Sequence, residues 1–265
     1  MAGVPRLSRL LAYIGIGAVA GFLSGLFGVG GGILIVPALV LLLRMPQKVA
    51  SGTSLLAVAP LSVGGMVAYA TSGHIDWAAS LTVAIGAVAG GAIGSALLQR
   101  LPSVVITWIF VAVMLLVAAQ MLFEEPTRGA LRLLTPVDLL ILLGIGLVAG
   151  IFSGLLGVGG GAIIVPALII VSGFGDLAAK GSSLVALMPN AVTTSVLNLR
   201  RGNADLIAGL TIGVVGAAVA VLGMFVAAWV DPRTGSILFA ALLVIVAAQL
   251  AVRTIRRMRG PQSSS

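Results

Sequence analysis

The sequence states its plan twice. At an offset of 129 residues, positions 15–40 match positions 144–169 at 19 of 26 places without a gap. The same offset pairs Gly52 with Gly181, Ser54 with Ser183, Pro60 with Pro189, Gly73 with Gly202, Asp76 with Asp205 and Gly94 with Gly223. It also pairs Val117-Ala-Ala-Gln120 with Val246-Ala-Ala-Gln249. A duplication on this scale makes each half one structural unit, so any fold of the first half must also fit the second. The units run from about residue 10 to 123 and from about 137 to 252, joined by the polar stretch 124–138. The whole chain, 1–265, reads as one domain with a shared core.

What the units fold in follows from composition. Hydrophobic residues make up 60% of the chain and charged residues 8%, whereas soluble domains are about a quarter charged. The apolar runs are about 20 residues long rather than alternating ten-residue strands. The expected class is therefore an all-α integral membrane protein. Each unit divides into five apolar segments, roughly 10–28, 32–43, 52–71, 78–98 and 104–123, then 137–157, 161–172, 181–199, 206–228 and 235–252. The second segment of each is too short. About 12 residues rise only ~18 Å as a helix, against a hydrocarbon core of ~30 Å, so it is a half-span or a tilted, buried piece. Arg6 and Arg9 before an apolar run resemble a signal peptide, but the internal copy at 136–156 cannot be one, so an uncleaved first span is expected.

The first two segments of each unit meet at a glycine cluster. The stretches are Gly21-Phe-Leu-Ser-Gly-Leu-Phe-Gly-Val-Gly-Gly-Gly-Ile-Leu-Ile-Val-Pro37 and Gly150-Ile-Phe-Ser-Gly-Leu-Leu-Gly-Val-Gly-Gly-Gly-Ala-Ile-Ile-Val-Pro166. A helix is poorly held through three consecutive glycines. Within a bilayer, broken backbone is tolerated only where it is buried in protein or lines a cavity. The break is thus a close-packing device or a substrate site. Gly30, Gly31 and Gly32 precede Ile33, and Gly159, Gly160 and Gly161 precede Ala162, at the starts of the short segments. Unpaired amides there, at the positive end of a helix dipole, can hold an anion without a formal charge.

Loop charge sets the expected topology. With the N-terminus inside and ten alternating segments, the inner side collects 11 Lys and Arg and the outer side 4. Counting the first two segments as one crossing gives 10 against 5, and a re-entrant hairpin leaves the later loops where they were. The favoured readings give each unit an odd number of crossings, so the second inserts upside down. That is the inverted-repeat plan of secondary transporters, with broken helices meeting at the midplane. Both termini are expected in the cytoplasm, and the membrane is expected to be the plasma membrane.

The doubled Gly-x-x-Ser-Gly-x-x-Gly-x-Gly-Gly-Gly-x-x-x-x-Pro motif resembles the TauE/SafE family of sulfite exporters and related permeases. The resemblance extends to Lys48-Val-Ala-Ser-Gly-Thr-Ser-Leu-Leu-Ala-Val-Ala-Pro60, to Lys180-Gly-Ser-Ser-Leu-Val-Ala-Leu-Met-Pro189, and to Gly73-His-Ile-Asp-Trp77 echoed by Gly202-Asn-Ala-Asp-Leu206. It implies transport of sulfite, organosulfonates or related small anions.

Other candidates follow from residue type. Ser24 and Ser153 lie just before the breaks and either bond back to their own helices or face the site. Thr53, Ser54, Ser182 and Ser183 open the third segments, as N-caps or as donors to an oxyanion. Asn190 follows Pro189 within a span, where a polar side chain usually faces protein or a cavity. Lys180 reads as a solvated loop cation, and the lone His74 as a surface residue. The acids lie in loops or at segment ends, and cysteine is absent, which leaves no thiol chemistry and no conventional carboxylate metal site. The glycine run lacks the Lys-Ser/Thr of a phosphate-binding loop. No cofactor or catalytic residue is expected. The expected partners are a small anionic substrate and the lipid bilayer, not nucleic acid, and a homo-oligomer is left open. A pore or a non-catalytic membrane subunit is the alternative to a carrier.

Overall fold

The breakers cut the described residues into ten helices that keep the 129-residue register. In the computed structural model, which describes residues 6–123 and 135–259, the first unit holds α1 (Arg6–Phe27), α2 (Gly32–Leu41), α3 (Gln47–Thr71), α4 (Trp77–Arg100) and α5 (Ser103–Phe123). The second holds α6 (Pro136–Leu156), α7 (Gly161–Ile170), α8 (Asp176–Arg200), α9 (Leu206–Trp229) and α10 (Pro232–Arg259). Most of the joining stretch, with Glu124, Glu125, Arg128 and Arg132, lies outside the described residues. Seven helices, α1, α3, α4, α5, α6, α9 and α10, are long and apolar enough to cross a membrane. Large apolar side chains such as Leu81, Ile85, Leu140, Val214 and Phe225 cover their outer faces, as lipid contact requires. The protein is an all-α integral membrane protein. The eighth long helix, α8, equals α3 in length at 25 residues but buries Asp176, Lys180, Asn190, Thr194 and Asn198.

Two helix starts differ from the sequence expectation. α3 and α8 begin at Gln47 and Asp176, directly after Pro46 and Gly175, so Thr53, Ser54, Ser182 and Ser183 sit one to two turns inside. They are not N-caps. The extended backbone of Pro46 (ψ 140°) and Gly175 (ψ 153°) sets the boundary instead. α4 and α9 are capped as their sequences suggest, with Asp76 and Asp205 accepting from the amides of Ala79 and Ala208 at 2.9 and 3.0 Å.

Packing crosses between units. Gly17, Gly21 and Gly25 of α1 lie on the backbone of Ile212, Gly216 and Ala220 of α9; Gly146, Gly150 and Gly154 of α6 lie on Val83, Ala87 and Gly91 of α4. Glycine every fourth residue lets helix backbones touch where apolar attraction between helices is weak. The constant registers make both pairs parallel. Equivalent helices α3 and α8, by contrast, run antiparallel: Gly52 faces Asn198 and Asn203, whereas Gly65 faces Leu184. Each unit's first helix thus packs on the other unit's fourth, and α3 packs on α8.

Long polar contacts fix the ends. Arg253 Nη1 donates to the Val40 carbonyl at 2.5 Å, Lys48 Nζ to that of Gln99 at 3.0 Å and Arg201 Nη1 to that of Ser95 at 2.7 Å. The last residues of α2, α4, α8 and α10 therefore gather at the end where α1 and α3 start. α1 and α2 form a hairpin that enters and leaves at that end, and α6 and α7 do the same from the opposite one.

Candidate functional site

The turns of the two hairpins are made by left-handed glycines. φ is 71°, 73° and 70° at Gly28, Gly30 and Gly31, and 78°, 89° and 90° at Gly157, Gly159 and Gly160. A side chain in that region strains the backbone. The two turns touch each other. A Cβ at Gly32 would land on the backbone of Val158, and one at Gly161 on that of Val29. Gly30 and Gly159 both abut Val58. The structure therefore brings all six candidate glycines to one crossing between α3 and α8.

The short helices start at this crossing. Leu34 and Ile35 amides donate to the Gly31 carbonyl at 3.0 and 3.1 Å, and Ile163 and Ile164 amides to Gly160, both at 3.0 Å. The amides of Gly32, Ile33, Gly161 and Ala162 precede those bonds and carry the positive ends of α2 and α7. Both ends start at this crossing, each in contact with the backbone of the other unit's turn.

The candidate hydroxyls divide into three kinds. Thr53 and Ser182 are latches: Thr53 Oγ1 accepts from the Asp205 amide at 2.9 Å and Ser182 Oγ from the Asp76 amide at 3.0 Å. Each holds the other unit's hairpin corner. Ser183 donates to the Gly28 and Lys180 carbonyls and so ties α8 to the first break. Ser24, Ser54 and Ser62 are fully buried with no hydrogen-bond partner. The duplication explains Ser24. Its copy Ser153 accepts from Asn190 Nδ2 at 2.8 Å, but the residue in Asn190's register in the first unit is Leu61. Ser24 has lost its partner, while Asn190 keeps an unpartnered Oδ1. Buried polar atoms without partners are few in folded proteins; of these, Ser62 Oγ lies beside Gly30 at the crossing, whereas Asn190 Oδ1 lies against Gly91 of α4. Ser62 has Ala191 as its copy, so the repeat carried no signal for it.

Lys180 is not a solvated cation. Its Nζ donates to Asp176 Oδ2 at 2.8 Å, both side chains are buried, and its stem lies against Gly28. The signal was the i,i+4 spacing on one helix, which a loop reading of 172–180 concealed. In the first unit the same place is filled by Ser51, whose Oγ donates to the Leu156 carbonyl at 2.9 Å. The crossing thus has one charged flank and one neutral flank. His74 is half-buried, with its carbonyl against Gly181. The space beside the second break, walled by Ile33, Phe152, Ser153, Val158 and Gly160, has about 10 Å³, room for about one water.

The sequence is similar to those of known membrane transporter proteins. A family model described as "Sulfite exporter TauE/SafE" matches residues 141–265. The chain is 28% identical to a probable membrane transporter protein of Xylella fastidiosa strain 9a5c, over 81% of this chain and 86% of that one. It is 30% identical to its counterpart in strain Temecula1, over 68% and 70%. It is also 39% identical to the probable membrane transporter protein YunE of Bacillus subtilis, over 46% of each. With the doubled motif, the bundle and a relative matched over most of its length, the chain belongs to the TauE/SafE family and is a multi-pass membrane transporter.

Proposed function

We propose that this transporter carries small oxyanions, sulfite and organosulfonates among them, across the plasma membrane by alternating access of two inverted units. One observation carries the reading: two glycine turns from opposite ends of the bundle meet between antiparallel α3 and α8. Helix starts there offer amides, and Ser24, Ser54, Ser62 and Asn190 offer unspent polar atoms. These groups suit an oxyanion, which accepts several hydrogen bonds at once. The packed centre, with about 10 Å³ beside the second break, suits a carrier that opens to one side at a time and not an open pore. The family's description as a sulfite exporter supports the substrate class.

Charge supports the orientation. Arg44, Lys48, Arg100, Arg200, Arg201, Arg253 and Arg256 crowd the end where α1 starts and α10 ends, which the positive-inside rule puts in the cytoplasm. Outward movement of a monoanion then gains ~2.3 kcal/mol per 100 mV of inside-negative potential, so export needs no proton carrier. We read the protein as a carrier and not an enzyme, because the crossing offers hydrogen-bond donors without a nucleophile and base.

The test is flux of sulfite, thiosulfate, sulfonates and short carboxylates in proteoliposomes under a clamped potential. The reading expects saturable, potential-dependent movement of at least one of them. Flux indistinguishable from empty liposomes for the whole set refutes it.

A further inference from the structure

The end of the bundle where α1 starts and α10 ends carries a cavity of about 550 Å³, walled by the α2–α3 corner, the start of α5 and the end of α10. Three of its residues depart from what the fold alone would choose. Arg44 sits at φ 53°, the sole non-glycine residue with positive φ among the described residues. It closes α2, where the Met45 amide donates to the Leu39 carbonyl at 3.1 Å. The second unit makes the same closure with Gly173 at φ 67° and Phe174 donating to Leu168 at 3.0 Å. Glycine is the ordinary residue there, so an arginine is kept against the backbone's preference, and such strain tends to persist at functional positions.

Gln47 is the second departure. It is 8% exposed, lines the cavity, and its Nε2 has no partner. Its copy is Asp176, which the second unit spends on Lys180. The third is Arg253, which uses one nitrogen to cap Val40 and keeps the rest of its fork on the cavity wall. The start of α5 adds Ser103 and Val104, with the helix's first amides, and Thr107, whose hydroxyl donates to the Ser103 carbonyl at 2.9 Å. Among the described residues, no carboxylate lines the wall. In sequence register, Arg44 and Gln47 of the first unit pair with Gly173 and Asp176 of the second, while Arg253 and Thr254 pair with Glu124 and Glu125. The charge is one-sided, so it is not a by-product of the duplication.

We propose that this cavity is a second oxyanion site, distinct from the crossing, in which Arg44, Gln47 and Arg253 hold a sulfate-, sulfite- or phosphate-like group at one end of the transporter only. Two guanidinium groups and an amide donor match such a group through charge-assisted bonds. The same chemistry belongs to a free oxyanion or to the phosphate of an anionic lipid headgroup. The proposal does not depend on what the crossing transports.

The experiment is calorimetric titration of the full chain in nanodiscs with sulfate, sulfite and phosphate at fixed ionic strength. One arm uses phosphatidylcholine alone, and a second adds phosphatidylglycerol. In phosphatidylcholine, Arg44→Gly should weaken binding by about tenfold or more while melting no lower than the parent, because glycine suits that backbone. Gln47→Glu should weaken it comparably by returning a carboxylate to the wall. Suppression of the heat by phosphatidylglycerol, with less of that lipid retained by Arg44→Gly, identifies a headgroup; an unaffected heat identifies the free anion. The proposal falls if neither anions nor phosphatidylglycerol bind, or if Arg44→Gly and Gln47→Glu leave binding unchanged. It falls equally if binding survives those two changes and disappears in Asn190→Leu, which would place the anion at the crossing.

Discussion

The two glycine turns share a backbone and differ in chemistry. Both reverse the chain through left-handed glycines, both press against Val58, and both are braced by a hydroxyl of the other unit, Ser183 donating to the Gly28 carbonyl and Ser51 to the Leu156 carbonyl. Around the first turn lie Lys180 with Asp176, the unpartnered Ser24 and the apolar Leu61. Around the second lie Ser51 and the Ser153–Asn190 pair. Duplication therefore conserved the geometry of the turn and released its side chains. The shared part reads as architecture, and the unshared part marks where the halves have taken separate tasks.

The comparison can be broken most forcefully at Lys180. Lys180→Met leaves Asp176 buried without its cation, and should cost about 3–5 kcal/mol. Ser51→Ala, the same position in the other unit, should cost about 1 kcal/mol. Thermal or denaturant unfolding in detergent reads both. Adding Asp176→Asn to Lys180→Met should restore most of the loss; equal costs at the two positions would deny the charged flank. Next in size, Gly32→Ala and Gly161→Ala should each destabilise by about 1–3 kcal/mol, because each methyl meets the opposite turn's backbone. Their effects should be alike, since this contact is the symmetric one, and a large effect from one alone would show that the crossing is not shared.

Asn190→Leu makes the second unit resemble the first. It should cost about 1 kcal/mol of stability and lower flux about tenfold, a loss of ~1.4 kcal/mol in transition-state stabilisation, without changing the Lys180 result. Ser24→Ala should have the smallest structural effect, neutral or slightly stabilising, because it removes an unpartnered hydroxyl. Any fall in its flux would then belong to substrate contact, and a parental flux would exclude Ser24 from the pathway.

Much of the frame was legible in the sequence because breakers act locally. Gly73, Asp76, Pro46 and the glycine clusters, each repeated or answered 129 residues on, bound the helices within a few residues. The short second segments were visible by length alone. The latches were not, since Thr53 reaches Asp205 and Ser182 reaches Asp76 across 152 and 106 positions, and a hydroxyl six residues into a helix carries no mark of a distant amide. Reading Thr53 and Ser182 as N-caps assigned the right chemistry, acceptance from a loop amide, to the wrong chain segment. Lys180 was misjudged because hydropathy places charge outside, and only its packing on Gly28 reveals that Asp176 accompanies it inward.

The exchanged packing of α1 on α9 and α6 on α4 has a consequence for inheritance and assembly. A unit made alone would carry a glycine-faced first helix with nothing to lie on and a hairpin corner with no latch. Its complement is an antiparallel copy of itself, so the duplicated gene encodes, on one strand of peptide, what would otherwise be a dimer. Once fused, each copy was free to lose a partner such as Asn190 or gain a charge such as Arg44 without imposing it on the other.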